Sequence, residues 1–374
     1  MVNLTLKDLF DEKIRLALII IGLTVSLLMV HIGIGMITGT LDESKRIIEE
    51  GNYDVYVIQK NRYTIMDGGY VSDDIFNKTS QLNGVEWIDK IINDWIELKF
   101  GKEKIDMGVI GYNVKSDYLK PWDCIDCSEK DIKSDNKIII DKLVTKEVPN
   151  IETGDKLKGG DLDTTLKVVG FCQNNQRTGN PTMWCNFETA KALLHYDNES
   201  TYLAVKLKGG YSIRDLKHDL SAYEEEISIV SSSEMEARID DYLLNDFGLA
   251  SSIGILAVLG FLVSMIVIST TLYQSVVEKL PELVSLKALG AKKSYINKIL
   301  INQTFLVISI SFFVSLILAL FIAPFLSMFS ALPVNVNPYW AAFTYIVSLI
   351  LGILCALFSI RKVHKTDPAI IFRG

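Results

Sequence analysis

Residues Leu249–Ile296, LASSIGILAVLGFLVSMIVISTTLYQSVVEKLPELVSLKALGAKKSYI, decide the fold. The first half, Leu249–Leu272, is 24 residues without a charged side chain. About 20 helical residues cross a hydrocarbon core roughly 30 Å thick, so this half reads as a membrane span. The second half, Val276–Ile296, is a short amphipathic helix with Pro281 in its first turn and Gly290 as a C-terminal stop. Leu283, Leu286 and Leu289 recur every three residues with Val284 beside them, while Lys279, Lys287, Lys292 and Lys293 crowd the same loop. Isolated helices under about a dozen residues are marginal in water, so this apolar face needs a partner.

Three more windows are equally free of charge: Leu16–Ile37, Ile301–Ala323 and Trp340–Ile360, of 22, 23 and 21 residues. Four transmembrane helices are therefore expected, at 16–37, 249–272, 301–323 and 340–360. The first is too long for a cleaved signal peptide, and its flank (Asp8, Asp11, Glu12) is acidic where such a peptide is basic.

Charge sets the orientation. Lysines crowd the loop 273–300, the tail 361–374 carries Arg361, Lys362, Lys365 and Arg373, and the lead-in 1–15 carries Lys7, Lys13 and Arg15. The loop 324–339 has neither Lys nor Arg. The positive-inside rule then places both termini and the lysine loop in the cytoplasm and 38–248 outside. That long segment carries 26 basic and 39 acidic residues, net −13, within a chain of net −7. An acidic exterior is joined to a basic cytoplasmic side.

The exterior segment alternates β-rich runs (Asp54–Gln59, Trp87–Phe100, Ile105–Tyr112, Lys137–Ile140, Thr165–Cys172, Thr201–Lys208, Ile227–Ser231) with helical ones (Ser72–Asn83, Phe187–His195, Ile213–Tyr223). The fold class is a polytopic α-helical membrane protein with four transmembrane helices and a large α+β extracytoplasmic domain between helices 1 and 2. A subdomain at about 115–200 is inserted in that domain. Polar helices at about 41–50 and 232–248 form stalks, the second running into its span without a breaker.

Four cysteines, Cys124, Cys127, Cys172 and Cys185, fall in the exterior segment, and Cys355 lies in the fourth window. Four thiols allow three pairings. A Cys124–Cys127 bridge and a Cys172–Cys185 bridge across a hairpin base suit an oxidising compartment, and free thiols remain an alternative. No histidine ligand or strand–CxxC–helix pattern accompanies them to favour zinc or redox catalysis. His31, the one ionisable residue of the first window, reads as facing headgroups or a neighbouring helix rather than relaying protons.

No P-loop, HExxH, GxSxG or kinase signature occurs, so no catalytic residue, metal site or cofactor site is expected. The four windows hold no Asp, Glu, Lys or Arg, which leaves no evident ion path. Basic residues sit in membrane-proximal loops, which argues against nucleic-acid binding.

The order of one span, a large exterior domain and three spans resembles the permease subunits of the MacB/FtsX-type ABC family. The resemblance rests on LPELVSLKALGAKKSYI (Leu280–Ile296), closest to the DevC-like branch, on TGDKLKG (Thr153–Gly159) with LKVVG (Leu166–Gly170), and on Asp367-Pro368. It implies a coupling helix that docks an ATPase, with Leu283, Leu286 and Leu289 in its groove, Glu282 and Lys287 fixing register by ion pairs, and Gly290 ending the helix. It also implies a separate cytoplasmic ABC ATPase holding ATP and magnesium, a second permease copy or paralogue, surrounding membrane lipid, and in some settings a periplasmic adaptor. Export of a peptide, lipid or drug-like substrate is the expected function. FtsX-like signalling to a cell-wall hydrolase and a stand-alone receptor are the alternatives.

Overall fold

A single helix, α1 (Lys13–Gly51), runs unbroken through 39 residues. Its apolar part gives way to LDESKRIIEE with no Pro between them, and the helix runs on through Gly39, so the backbone continues from one chemistry into the other. The computed structural model describes residues 13–125, 127, 132–159, 164–177, 179–246, 248–278, 293–329 and 333–365. The chain divides into a helical unit (Met1–Gly39, Leu249–Met328, Val334–Gly374) and an α+β unit (Thr40–Gly248 with Phe329–Pro333).

In the α+β unit the order is β1 (Val55–Gln59), β2 (Val71–Ser72), α2 (Asp73–Ser80), β3 (Val85–Phe100), β4 (Glu103–Tyr112), β5 (Lys137–Asp141), β6 (Lys156–Gly159), β7 (Thr164–Cys172) and β8 (Gln176–Arg177). There follow β9 (Asn180–Asn186), α3 (Phe187–Leu194), β10 (Glu199–Ser200), β11 (Tyr202–Leu207), α4 (Ile213–Asp219), β12 (Ile227–Ser231) and α5 (Ser232–Asp241). The main sheet runs β12-β1-β11-β3-β4-β9-β5-β7-β6, and β6 pairs back onto β3. Strands β3, β4, β9, β5, β7 and β6 thus close a ring, which leaves no free edge along it.

Strand β3 is 16 residues long and serves two cores. Its first half pairs with β11 and its second with β4. Val55, Val57, Ile75, Val85, Leu203 and Ile227 fill one cluster. The other draws on Ile92 through Tyr196, including Leu98, Val109, Ile140, Leu166 and Met183, and lies inside the ring. The two clusters meet at β3, so the second core begins near residue 92 rather than 115. Gly159 makes the closure feasible, because a Cβ there would collide with Leu98 Cδ2.

The helical unit adds α6 (Leu249–Glu278), α7 (Lys293–Phe329) and α8 (Pro338–Lys365). Among the described residues three segments are long and apolar enough to cross a membrane: Leu16–Gly51, Ile301–Ser327 and Pro338–Leu357. The expected second span lies within α6, whose Val258–Val267 is the apolar stretch recognised there. Small residues let these helices approach closely. Gly22 faces Val267, and a Cβ at Gly260 would stand 2.7 Å from Val30 Cγ2. Gly35 accepts a hydrogen bond from Asn335 N at 2.8 Å, and Thr38 Oγ1 donates to Asn335 O at 2.7 Å. His31 is buried edge-on against Phe312, ring centroids 5.3 Å apart, which is the neighbouring-helix arrangement.

The link to α6 differs from the expected unbroken helix. After α5 the chain makes a π-helical stretch, Tyr242–Asp246, and Gly248 takes φ +77° before α6 starts. A left-handed residue ends a helix, so the break sits at the one glycine of that segment.

Candidate functional site

The coupling segment Glu282, Leu283, Leu286, Lys287, Leu289 and Gly290 lies outside the described residues; α6 ends at Glu278 and α7 starts at Lys293. What the α+β unit does describe is the base of its first stalk.

There α1 presents two cationic side chains to two different elements. Lys45 Nζ lies 3.1 Å from Asp240 Oδ1, tying α1 to α5. Arg46 Nη2 donates to Asp123 Oδ2 at 2.8 Å and Nη1 to Asn174 O at 3.4 Å, while its guanidinium stacks 5.4 Å from the Trp122 ring. The receptor for Arg46 is a pair of loops held open by left-handed residues, Asp123 (φ +49°) and Asn174 (φ +54°). Asp and Asn tolerate that region better than other side chains.

Behind the loops stands a closed hydrogen-bond network. Asn175 N–H donates to Asp141 Oδ2 at 2.6 Å, Asn175 Nδ2 donates to Trp122 O at 2.9 Å, and Trp184 Nε1 donates to Asn175 Oδ1 at 3.0 Å. Trp122 and Trp184 meet edge to face at 5.1 Å. The receptor is therefore anchored to β5 and β9 at the heart of the ring, and Arg46 is held by a stiff surface rather than a floppy one.

Glu43 sits one turn before Arg46. Burial pushes its carboxyl up to about 8, Arg46 opposes, Asp141 adds, the Gln176 N–H opposes, and Asp123 adds. Its Oε1 has no hydrogen-bond partner among the described residues. A carboxyl so placed is largely protonated near neutrality. Burial also raises the Asp141 carboxyl, against hydrogen bonds from the Leu143 and Asn175 amides and the charge of Lys146. At Asp123 burial acts the same way, but bonds from Asn174 and Arg46 outweigh it and hold the carboxyl below its usual range.

The second stalk is held separately. Arg238 of α5 donates to Tyr63 O at 3.3 Å and stacks on that ring, and Tyr63 Oη donates to Asp241 Oδ2 at 2.9 Å.

Of the four cysteines of the α+β unit, Cys124 and Cys127 are joined, Cα atoms 5.6 Å apart. Cys172 and Cys185 are buried free thiols. They do not bridge each other because β5 runs between their strands, β7 and β9. Two strand spacings of roughly 4.8 Å exceed what a disulfide spans.

The helical unit contains a small cleft with a largely apolar lining, formed by Leu23, Leu27, Phe261 and Ile308 together with Ser264 and Ser348. Each serine turns its hydroxyl back to its own helix, Ser264 to Gly260 O at 2.9 Å and Ser348 to Thr344 O at 2.7 Å. No His/Cys/Asp/Glu cluster able to hold a metal occurs among the described residues.

The segment LDESKRIIEE reads from sequence only as a polar helix, so Glu43 and Arg46 carry no individual signal there. Their partners lie about 80 to 130 positions away, at Asp123, Asp141 and Asn174.

Comparison with known proteins agrees with this architecture. The MacB-like periplasmic core domain family matches residues 16–223 and the FtsX-like permease C-terminal family matches residues 254–368. A protein of Staphylococcus epidermidis named as a hemin transport system permease, HrtB, is 21% identical over 370 residues, covering 98% of this chain and 97% of its own length. An uncharacterised ABC transporter permease of Mycobacterium tuberculosis is 28% identical over 124 residues, 33% of this chain. That match spans 34% of the mycobacterial protein's length. The periplasmic region of MacB from Actinobacillus actinomycetemcomitans aligns at 12% identity and TM-score 0.39, covering 51% of this chain and 94% of that one. With one family match extending over more than half of its residues, the chain belongs to the FtsX/MacB-like family of ABC transporter permeases.

Proposed function

We propose that the chain is the membrane lever of an ABC export complex. It crosses the membrane four times, with both termini and the lysine loop in the cytoplasm and the α+β unit outside. A separate ATPase docks on the coupling helix, with Leu283, Leu286 and Leu289 in its groove and Glu282 and Lys287 setting register. Two permease copies, or this chain and a paralogue, bring two α+β units together. Nucleotide turnover tilts the helices, and the α+β units open and close on cargo outside.

One observation carries this reading. The helix that begins in the apolar unit ends clamped by Lys45 and Arg46 to two different elements of the α+β unit. A tether for passive display needs no such clamp. The apolar cleft, whose two serines bond back to their own helices, fits the same view, since cargo handled outside requires no polar path between the helices.

Cargo chemistry is the finer part of the proposal: an amphiphilic peptide, lipid or drug-like molecule. The hemin named for the staphylococcal relatives is the first compound to try. The test is ATPase activity of the co-purified complex in proteoliposomes, with and without hemin or a lipid-like candidate. Stimulation together with ATP-dependent release of the compound supports export. ATPase activity that responds instead to a cell-wall hydrolase, with no release, moves the assignment to FtsX-like signalling.

A further inference from the structure

Three cysteines meet where the Arg46 receptor is built. Cys124 and Cys172 are opposite each other in an antiparallel bridge. The bonds flanking them run from Ile125 N to Phe171 O (2.9 Å) and from Gln173 N to Asp123 O (3.1 Å). That pattern makes Cys124 and Cys172 the narrow, non-hydrogen-bonded pair, whose Cα atoms stand about 4.5 Å apart with side chains on one face. Disulfides span Cα separations of roughly 4.4–6.8 Å, so this pair satisfies the geometry without backbone movement. Cys124 is already bonded to Cys127 on its other side. Cys124 is exposed, whereas Cys172 is fully buried beneath the same loop.

We propose that Cys124 is a two-way disulfide partner, bonded to Cys127 in this structure and able to transfer its bond to Cys172, which locks the two loops of the Arg46 receptor together. In the exchange the Cys172 thiolate attacks Cys124 Sγ. The Cys124–Cys127 bond breaks, the Cys124–Cys172 bond forms, and Cys127 leaves as a thiolate that takes a proton from water. One disulfide and one thiol exist before and after, so neither an oxidant nor a reductant is consumed.

The consequence follows from position. Asp123 adjoins Cys124, and Asn174 lies two residues past Cys172; both hold Arg46. The Cys124–Cys127 bond closes a loop of four residues and leaves the two strands joined by hydrogen bonds alone. A Cys124–Cys172 bond ties them covalently and closes a far longer loop, which constrains the unfolded chain more. The exchange is slow at rest. Burial keeps the Cys172 thiol protonated, with Asp141 of β5, Asp123 of the covering loop and Glu43 of α1 adding to it. Alkaline pH, or lifting of the 121–127 loop when Arg46 lets go, accelerates it.

The test is peptide mapping of the full-length chain in membranes, without reduction, after alkaline incubation and alkylation in denaturant. Wild type is expected to yield a Cys124–Cys172 peptide and alkylated Cys127, with at least about tenfold more Cys127 labelling than Cys172→Ala. As a second measurement, Cys127→Ser treated with oxidised glutathione is expected to give the Cys124–Cys172 disulfide, with both cysteines protected. Equal Cys127 labelling in wild type and Cys172→Ala overturns the proposal. So does Cys127→Ser in which Cys124 carries glutathione while Cys172 stays free. Neither outcome bears on whether the chain works with an ATPase.

Discussion

Arg46 Nη2 stands 2.8 Å from Asp123 Oδ2, joining a helix to a loop 77 positions away in the chain. The pair is half exposed, so its Coulomb energy is screened and worth about 0–1 kcal/mol, to which the Trp122 stack adds about 0.5–1. Stability is therefore a minor part of what the contact does. Its geometry fixes where the α+β unit grips the stalk.

Arg46→Ala is expected to lower the Tm of the purified complex by only a few degrees, matching a loss on the order of 1 kcal/mol. Under the proposed function it cuts cargo-stimulated ATPase activity far more, by about tenfold or greater, because the stroke is lost at its point of delivery. Calorimetry and a stimulated ATPase assay on the same preparation check this. An unchanged stimulated rate contradicts the role given to the clamp.

Glu43 predicts a pH dependence. Its folded carboxyl is raised to about 8 by burial, whereas an unfolded glutamate titrates near 4.3. The folded form thus holds a proton that the unfolded form has released across that window. The stabilisation is complete below about pH 4 and is lost progressively as pH rises through 8. Glu43→Gln keeps the neutral shape, so its Tm is expected to fall less between pH 5 and pH 8, by about a few degrees. Parallel Tm–pH curves for the two chains contradict the assignment.

Gly159→Val tests the ring of strands. The added Cβ meets Leu98 Cδ2, the residue paired with Gly159 across the β3–β6 closure. Overpacking of this kind costs about 1–3 kcal/mol, so urea unfolding followed by tryptophan fluorescence should shift to lower denaturant. A midpoint equal to wild type means that β6 does not close on β3 in solution.

Much of the fold is visible in the sequence because its periods are clean. The alternation in Ile105–Tyr112 and the β-rich run Ile227–Ser231 became β4 and β12 within a residue or two. Strand β9 was hidden: GNPTMW reads as turn chemistry, and its burial on nearly every residue removes the alternation that marks a strand. Gly248 was likewise invisible as a break, since a single glycine in a polar helix carries no sign of its φ. The Arg46 receptor was illegible for a deeper reason. Its parts come from β5, β9 and two loops, and only the fold brings Asp123, Asp141 and Asn174 to one place.

The lysine loop supplies another expectation. The sequence leads us to expect a helix over 276–296 that Gly290 stops, and under the proposed function a β-branched residue at such a stop is strained. Gly290→Val is expected to leave the complex assembled but to reduce stimulated ATPase activity about tenfold. Normal stimulation in this variant removes Gly290 from the coupling path.

The central claim is that an energy-supplying subunit grips this chain at the lysine loop. It is tested by purification of the full-length protein from native membranes, with mass spectrometry of bound proteins, for wild type and for Leu286→Asp. The account predicts a stoichiometric ABC ATPase with wild type and its loss, about tenfold or more, with Leu286→Asp while the permease stays folded. A wild-type protein that never carries an ATPase, or a Leu286→Asp protein that retains it in full, contradicts the account.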